Sequence, residues 1–493
     1  MKQYLLALDQ GTSGMKLMVT HVDGQKQFSV TQPYPTHTPH AGYREQNPQD
    51  WWQAVCDGVP KLLKKAGISA ADIAAIGVDG ISWTPVMLDA QGEVLGVSPI
   101  WNDTRSVQEC REICETVGEE RVFEVSGNPV QPYYMTSKLL WYRRHEPERI
   151  RKTAHVLTSN GFLVYRLTGC MTQDLAQAYG WAFHNTSTGA WDGQMAEQLG
   201  IDLDWLPSCC ESTHVAGAVT AEASRLTGLQ EGTPVVAGGL DAACGALGAG
   251  VFDPGPTHEQ SGSAGGMSIC TDRYQAARGL ILSRHVVPGR WLLQGGTVGG
   301  GGAFQWMAEN LNPSGAEISF DELNQAAQAV SPGADGLIFL PYLAGERSPI
   351  WNPDAKGVFY GLDFSKGRGH LVRAVMEGTA YALRHNLEAA RQAGVCPSEM
   401  RAVGGGSASP LWMQIKADIA GYPIRAVARR DATCIGCSMM AGVGAGIWKD
   451  FAQASERFVE LGPVYQPDEK RAQRYQQGFE QYCELYSRLE SMM

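Results

Sequence analysis

The chain has 493 residues, 44% of them hydrophobic and 18% charged, so it is too long for one core and about two to three domains are expected. A formal net charge of −11 argues against nucleic acid or an anionic membrane as the main partner, although an anionic nucleotide needs only local donors. Asp9 interrupts the first apolar stretch too early for a signal peptide, and no apolar run reaches the roughly 18 residues of a membrane helix. A cytoplasmic protein is expected.

The 12 cysteines are scattered, and buried free thiols are the simplest interpretation in a cytoplasmic chain. Cys434 and Cys437 have the spacing of a metal-binding pair, but no second Cys or His pair at zinc-site spacing accompanies them. The surrounding segment also has a helical pattern. No zinc site is therefore expected, and whether the two thiols do more than pack is left open.

The first element is a strand, Tyr4–Asp9, which a turn rich in Gly, Thr and Ser joins to a second strand, Lys16–Thr20. Glycine lets backbone amides approach a phosphate, hydroxyls add donors and a lysine adds charge. A carboxylate at the strand end, Asp9, can hold Mg²⁺. By itself the segment also fits an ordinary hairpin. The candidate phosphate contacts are Gly11, Thr12, Ser13 and Lys16.

The next elements are a helix over 48–66, an apolar strand over 73–79 and helices over 106–116 and 136–144. Between them, the segment Trp101–Arg105 places Asn, Asp and Arg side chains after an apolar strand. Such side chains suit hydroxyl recognition, and Trp101 can cover a sugar face. Asp103 and Arg105 fit a structural ion pair equally well.

The segment Pro234–Asp241 has the pattern of a buried strand that runs into a glycine turn, and small residues follow over 242–250. Small side chains leave room for a ligand beside Asp241. In phosphoryl transfer the base mainly orients the nucleophile, so an ordinary carboxylate suffices. Asp241 is therefore a candidate base, and a helix N-cap is the alternative role.

The pattern restarts near residue 250, because Thr257–Ile269 is again strand, turn and strand around Ser261–Gly266. Two such hairpins, each opening one half of the chain, predict two α/β halves with a cleft between them, 1–249 and 250–493. Phosphates held from both sides of a cleft require this arrangement, which makes Gly262 and Ser263 the counterparts of the first hairpin.

Two further glycine-rich stretches lie at Gly295–Gly302 and Gly404–Gly406. The second comes between an apolar segment and a helix, where its backbone can press against a nucleotide base. A Rossmann dinucleotide site is excluded, because no Gly-x-Gly-x-x-Gly follows the first strand.

Together these motifs resemble the FGGY carbohydrate kinases, in family order and over nearly the whole chain. The resemblance implies an α/β fold of two actin-like, ribonuclease-H-like ATPase domains with a central cleft that closes on ATP, Mg²⁺ and a sugar or polyol. The matching segments are Asp9–Lys16, Tyr43–Trp52, Trp101–Arg105, Gly239–Gly250, Tyr342–Leu362 and Gly404–Ile424.

By position, the resemblance implies that Asp241 is the base that orients the attacking hydroxyl and that Asp9 organises Mg²⁺, with Asp241 as a second metal contact. Thr12 and Ser263 would contact phosphates. The residues that would line the nucleotide site are Gly301, Gly405 and Ser409.

Within the family, Asn128-Pro129 and the segment Lys138–Trp141 resemble the xylulokinase branch. Where that branch usually has Gln-Met-His after the strand ending near Gly80, this chain has Ile81-Ser82-Trp83. The departure leaves the phosphoryl-transfer residues in place but leaves the sugar open. The expected substrate contacts are Ser82, Trp83, Trp101, Asp103 and Asp241.

ATP-dependent phosphorylation of a sugar hydroxyl, with a ketopentose such as xylulose as acceptor, is the leading hypothesis. The alternatives are a kinase for ribulose, gluconate, glycerol or erythritol, and a catalytically silent nucleotide sensor. An actin-like chaperone or filament ATPase has no use for the Trp101–Arg105 segment. A homodimer is the default expectation for the assembly.

Overall fold

The structure is a computed structural model that describes residues 3–311, 319–429 and 431–493. Its first half contains the strands β1 Tyr4–Gln10, β2 Gly14–His21, β3 Gln27–Pro33, β4 Glu45–Gln46, β5 Ile73–Gly80, β6 Val86–Leu88, β7 Ser98–Pro99, β8 His155–Leu157, β9 Gln173–Asp174, β10 His184–Asn185, β11 Ala190–Trp191, β12 Cys209–Cys210, β13 Val215–Ala218, β14 Pro234–Val236 and β15 Gly239–Leu240. Its helices are α1 Pro48–Ala66, α2 Val107–Thr116, α3 Glu119–Ser126, α4 Met135–His145, α5 Pro147–Lys152, α6 Ser159–Thr168, α7 Gly193–Gln198, α8 Ala221–Thr227 and α9 Asp241–Gly248.

The second half has fewer and longer elements. Its strands are β16 Pro256–Ser261, β17 Gly265–Thr271, β18 Ile281–Arg284, β19 Trp291–Thr297, β20 Ile338–Leu340, β21 Val358–Tyr360, β22 Glu399–Val403, β23 Ile424–Val427 and β24 Leu461–Tyr465. Its helices are α10 Gly301–Asn310, α11 Phe320–Gln328, α12 Arg368–Gln392, α13 Pro410–Ala420, α14 Ala432–Gly444, α15 Phe451–Phe458 and α16 Glu469–Leu489.

The main sheet of the first half has the order β13-β14-β5-β1-β2-β3. β1, β2 and β3 are antiparallel neighbours, whereas β5 runs parallel to β1, and β14 and β15 run parallel to β5. β1 is almost wholly buried, which explains its continuous apolar run up to Asp9. This register pairs Asp9 with Lys16 on one side and with Asp79 on the other.

The main sheet of the second half repeats this plan in the order β18-β19-β17-β16-β22-β23-β24. β16 and β17 form the antiparallel hairpin, and β22 and β23 follow β16 in parallel. The similarity between the two hairpins that the sequence predicts is therefore present in both sheets. The boundary between 249 and 250 falls between α9 and β16 and stays a prediction.

Two helices of small residues, α9 and α14, pack against each other between the sheets. They approach so closely that a Cβ on Gly248 would overlap the carbonyl of Ala432, and one on Gly436 would overlap that of Cys244. The small side chains around Asp241 are thus required by helix packing as well as by any ligand.

Local structure follows the sequence closely, with one informative break. The helix predicted over 48–66 is α1, capped by Asn47 and ended by Gly67 in the left-handed conformation. The strand predicted over 234–241 is instead divided into β14 and β15 at Gly238, whose φ of +83° suits glycine. Asp241 consequently begins α9 rather than ending a strand. No helix within the described ranges is long and apolar enough to span a membrane.

Candidate active site

Two adjoining cavities lie between the halves, with volumes of about 1090 Å³ and 260 Å³. After the ligands that the sequence leads us to expect on each side, we call them the nucleotide-side cavity and the sugar-side cavity. Both are lined by Asp241, and three other residues, Ala242, His258 and Gln260, also belong to both walls. The predicted base therefore stands where the two cavities meet.

The nucleotide-side cavity brings together segments that are hundreds of residues apart in the chain. It is large enough for a nucleotide, since ligand pockets typically measure about 300–1,000 Å³. Phe304 and Trp412 supply an aromatic wall beside the glycine-rich segment Gly404–Gly406. The sequence-predicted residues that line this cavity are Asp9, Asp241, Gly262, Ser263, Gly301, Gly405 and Ser409.

The second hairpin turn is fixed by the glycine-rich segments on both sides of it. The amide of Gly301 donates to the carbonyl of Gly262 at 2.7 Å, and that of Gly302 donates to Ser263 at 2.9 Å. On the other side, a Cβ on Gly404 would lie 2.7 Å from the Ser261 carbonyl. Gly405, in contrast, has open space where a Cβ would stand. The turn is therefore held in place by the protein itself, and the open side of Gly405 can accept a ligand.

A buried ion pair supports this turn from below, and sequence analysis missed it. Lys416 Nζ lies 2.7 Å from Glu259 Oε1, and the hydroxyl of Ser261 donates to Glu259 Oε2 at 2.7 Å. Lys416 comes from α13, so nothing in the local sequence links it to the hairpin. Lys416 takes the place of solvent around Glu259, and the pair thereby fixes the end of β16 that leads into the second hairpin turn.

Asp9 lies near the end of β1, where burial raises the pKa of its carboxyl against the opposing effects of Asp79 and Lys16. Asp79 is fully buried, and burial together with the charge of Asp9 raises its pKa well above the usual range. The thiol of Cys434 lies 3.7 Å from Asp9 Oδ2. Asp9 thus faces the cavity from a buried position beside a second carboxyl, Asp79, where a bound cation would offset the cost of burying the charge.

Asp241 is the first residue of α9, and its Oδ1 accepts a hydrogen bond from the amide of Ala242 at 2.7 Å. Leu240, not Asp241, occupies the N-cap position, so the alternative capping role does not describe it. Burial, and then the charge of Asp9, raise its pKa to about 7, while the Ala242 amide and Arg347 act in the opposite direction. A carboxylate with a pKa near neutrality suits proton transfer.

The sugar-side cavity has an aromatic wall from the first half. Trp101 donates its Nε1 hydrogen to the Thr12 hydroxyl at 2.9 Å, and the Tyr179 hydroxyl lies 3.1 Å from Ser82 Oγ. Thr12 therefore faces the sugar side, although the sequence suggests a phosphate contact. The predicted residues that line this cavity are Thr12, Ser82, Trp83, Trp101 and Asp241.

The buried side chain of Lys138 connects the two segments of this wall that contain Trp83 and Trp101. Its ammonium group is fully buried and donates to the carbonyls of Trp83 at 2.8 Å and Ile100 at 2.9 Å. Burial lowers the pKa of Lys138 to about 7. Trp83 has a φ of +55°, which is unusual for a bulky residue, and the bond to Lys138 helps to keep it there.

Four predicted site residues lie outside the walls of both cavities: Gly11, Ser13, Lys16 and Asp103. Lys16 forms an ion pair with Asp431 across the cleft. Asp103 is fully buried, bonds the Arg105 guanidinium at 2.7 Å and accepts the Arg44 amide at 2.6 Å. The structural ion pair that the sequence left open is thus present, and the structure does not bring Asp103 to the cavity.

Sequence analysis did not single out several residues that line the cavities. His258 and Gln260 are two positions apart on β16 and so point to the same face, a relationship that follows from the strand predicted over this segment. Arg347 lies in a recognised motif segment, but its position in the sugar-side cavity depends on the packing of the two halves. Tyr179 had no usable local signal.

A metal ion has a suitable place between Asp9 and Asp241. Both carboxyls face the nucleotide-side cavity, and the charge of Asp9 raises the pKa of Asp241, as a nearby like charge does when no cation lies between the two groups. In the described part of the chain no group of three or more His, Cys, Asp or Glu converges as a ligand set. Mg²⁺ fits this arrangement, because it commonly takes one or two carboxylates and completes its shell with water and phosphate.

Family models match both halves of the chain. The N-terminal domain of the FGGY family of carbohydrate kinases matches residues 4–248, and the C-terminal domain matches residues 267–445. The chain belongs to the FGGY family of carbohydrate kinases, and it is a carbohydrate kinase with the ATP dependence of that family.

Individual relatives agree over almost the whole length. The xylulose kinase of Escherichia coli (strain K12) is 32% identical and that of Bacillus subtilis (strain 168) is 30% identical, covering 99% and 98% of this chain and 99% and 97% of theirs. The crystal structure of xylulose kinase from Rhodospirillum rubrum superposes with a TM-score of 0.91 at 30% identity, covering 99% of each chain. The predicted fold of two actin-like domains is confirmed.

Other relatives are named for different substrates. An L-xylulose/3-keto-L-gulonate kinase of Escherichia coli (strain K12) is 28% identical over 99% of this chain and 98% of its own. A gluconate kinase structure from Lactobacillus acidophilus has a TM-score of 0.92 at 25% identity, covering 99% and 98%. The family is therefore established, and the names of its members include both neutral sugars and sugar acids.

Proposed function

We propose that this protein transfers the γ-phosphoryl group of ATP to a hydroxyl of a ketopentose such as xylulose. The observation that supports this most directly is the position of Asp241 at the junction of the two cavities. A nucleotide on one side and a sugar on the other would meet at this carboxylate, with the reacting atoms on opposite sides of the junction.

The nucleotide would lie along the second half. Its adenosine would contact Gly405, Ser409 and the aromatic wall of Phe304 and Trp412, and its phosphates would approach Gly262 and Ser263. Gly405 has no atom within 4 Å of its open side, which leaves room for a base or ribose. Because the turn at Ser261–Ala264 is already fixed, little conformational freedom would be lost on binding.

The chemistry would take place at the Asp241 carboxylate. The substrate hydroxyl would transfer its proton to Asp241 as its oxygen forms a bond to the γ-phosphorus, and the bond from that phosphorus to the leaving oxygen of ADP would break. Most of the acceleration in such a reaction comes from positioning and charge, not from proton removal. Asp241 would therefore act mainly by orienting the hydroxyl.

Mg²⁺ would be held by Asp9 and Asp241 and would supply positive charge to the phosphates. The protein residues contribute the carboxylates and the buried environment around Asp9, where Asp79 has a strongly raised pKa. Asp79 would then remain protonated and leave the Asp9 carboxylate as the charged partner of the metal.

The acceptor is proposed from the wall of the sugar-side cavity. Its volume of about 260 Å³ suits a five- or six-carbon sugar, and Trp83 and Trp101 offer the flat apolar surfaces that cover sugar rings and chains. The xylulose kinase relatives support a ketopentose, while the gluconate and 3-keto-L-gulonate kinases make sugar acids the principal alternative.

A coupled assay of ADP release over a panel of substrates tests this proposal. The panel would contain D-xylulose, L-xylulose, ribulose, xylitol, glycerol, erythritol and gluconate. We expect D-xylulose to give the highest kcat/KM and Asp241→Asn to lower the turnover of every phosphorylated member by about 10²–10⁴-fold. If no member is turned over while ATP still binds, the proposal is contradicted and a catalytically silent nucleotide sensor is favoured.

A further inference from the structure

Arg347 is the one Lys or Arg side chain among the described residues that line the sugar-side cavity. It comes from the second half and its guanidinium carbon lies 5.4 Å from the ring centre of Trp101 in the first half. His258, in the same wall, has a pKa that burial lowers to about 4 and is therefore neutral near pH 7. The cavity thus contains one cation, Arg347, and one carboxylate, Asp241.

The guanidinium of Arg347 lacks the partners that usually accompany a buried arginine. Its Nε has no hydrogen-bond partner in the described structure. The adjacent carboxyl of Glu346 does not pair with it, since its Oε1 accepts the amides of Val298 and Arg347, both at 2.8 Å. Gly296 makes room for the guanidinium, because a Cβ there would lie 2.9 Å from its central carbon.

An arginine in this position fits an anion better than a neutral sugar. Burial of an unpaired guanidinium is costly, and the cost is reflected in the lowered pKa of Arg347. Sugar hydroxyls can accept its hydrogen bonds but do not neutralise its charge. Phosphate and carboxylate oxygens do both, in a planar geometry that matches the guanidinium.

We infer that Arg347 is the oxyanion-binding residue of the sugar-side cavity and that its ligand is the phosphate group of the sugar phosphate product. This inference rests on the proposed function. That function creates the phosphate ester at Asp241, in the wall of the cavity that contains Arg347. The carboxylate of a sugar acid is the other source of the same chemistry.

Three variants separate charge, shape and stability. Arg347→Met removes the charge but keeps a long apolar stem over Trp101, and Arg347→Lys keeps the charge without the planar donors. The matched control is Arg278→Met, because Arg278 also covers an aromatic ring, that of Phe123 at 4.6 Å, yet lines neither cavity. Thermal unfolding of each variant establishes that it is folded.

Binding is measured by calorimetry on the full chain with saturating ADP, using D-xylulose, D-xylulose 5-phosphate and gluconate as probes. We expect Arg347→Met to weaken binding of the sugar phosphate by about tenfold or more, as loss of charged hydrogen bonds does. The affinity of Arg347→Met for D-xylulose should change less than about twofold. Arg347→Lys should recover part of the lost affinity for the sugar phosphate, and Arg278→Met should bind all three probes as the unaltered protein does.

Gluconate distinguishes the two possible anions, the phosphate group of the product and the carboxylate of a sugar acid. If gluconate but not the sugar phosphate loses affinity in Arg347→Met, the oxyanion role stands and the ligand is the substrate's carboxylate. If a folded Arg347→Met binds both anions as tightly as the unaltered protein, the inference is overturned. Failure of the proposed function has a different signature, because the unaltered protein would then phosphorylate no sugar in the panel whatever Arg347 binds.

Discussion

Lys16 Nζ lies 2.5 Å from Asp431 Oδ1, so the lysine of the first hairpin is paired with a residue of the opposite half. Asp431 directly precedes α14 and has a left-handed backbone, with a φ of +65°. Burial lowers the pKa of Lys16, but the hydrogen bond and the charge of Asp431, together with the smaller effects of Cys434 and Asp9, outweigh burial, and the net shift is upward. The pair therefore connects the two sides of the cleft at its nucleotide end.

Lys16→Met is expected to raise the KM for ATP more than it lowers stability. Both side chains are about one-third exposed, and pairs of this kind contribute at most about 1 kcal/mol to unfolding. A lysine that can leave Asp431 for a phosphate would matter far more to nucleotide affinity. Initial rates against ATP, together with thermal unfolding, check this. Asp431→Asn is the control, since it frees Lys16 without removing it and should leave the KM for ATP lower than in Lys16→Met.

Asp241→Asn is expected to fold normally, bind ATP and lose turnover by about 10²–10⁴-fold, the usual range for removal of a positioned base. The variant removes a buried carboxylate whose pKa is raised to about 7 by burial and by the charge of Asp9, so its melting temperature at pH 8 should equal or exceed that of the unaltered protein. Single-turnover rates measure the loss of turnover, nucleotide binding measures the affinity for ATP, and thermal unfolding at pH 8 measures stability. A kcat within threefold of the unaltered value would contradict the assignment.

The pH profile of kcat/KM is expected to fall on the acidic side of about pH 7, because Asp241 must be ionised to accept the hydroxyl proton. The contribution of Asp241 to the free energy of unfolding changes with pH in the opposite direction to kcat/KM. A carboxyl whose pKa is raised by folding binds more protons when folded, so its contribution to stability decreases as pH rises from about 4 towards 7. Rate profiles and melting curves over pH 5–9 test both statements, and a flat kcat/KM between pH 5.5 and 8 would contradict the first.

Lys138→Met is expected to reduce stability by about 2–4 kcal/mol, since it leaves the buried carbonyls of Trp83 and Ile100 without a donor. The surviving enzyme should show a higher KM for sugar and an unchanged KM for ATP, because both carbonyls belong to the sugar-side wall. Denaturant unfolding and steady-state kinetics measure these effects. An equal rise in both KM values would indicate general loosening instead of a local role.

Local sequence signals located most of the residues that share a short segment of chain. The hairpins around Gly11 and Ser263, the helix over 48–66 and the position of Asp241 after a glycine turn all follow from turn chemistry and periodicity. The proximity of Asp9 and Asp79 was not predicted, because it depends on the parallel register of β1 and β5, which only the structure shows.

Residues whose role depends on packing between distant segments could not be found in this way. Lys416 reaches Glu259 from 157 positions away, and Arg347 reaches Trp101 only because the halves face each other. The role of Asp103 could not be decided for a related reason. A carboxylate beside an arginine can either contact a substrate or form a structural ion pair, and its burial is needed to tell the two apart. The break at Gly238 depends on how closely Val78 approaches, which periodicity does not record.

The close contact between α9 and α14 at Gly248 and Gly436 has a mechanical consequence for the cleft. Asp241 begins one of these helices and Asp431 precedes the other, so both acidic groups stand within a few turns of the place where the halves touch. A rotation of the halves about this contact would move the distant rims much more than it moves these groups. The reacting centre would then keep its spacing while the outer walls open to admit substrates and close around them.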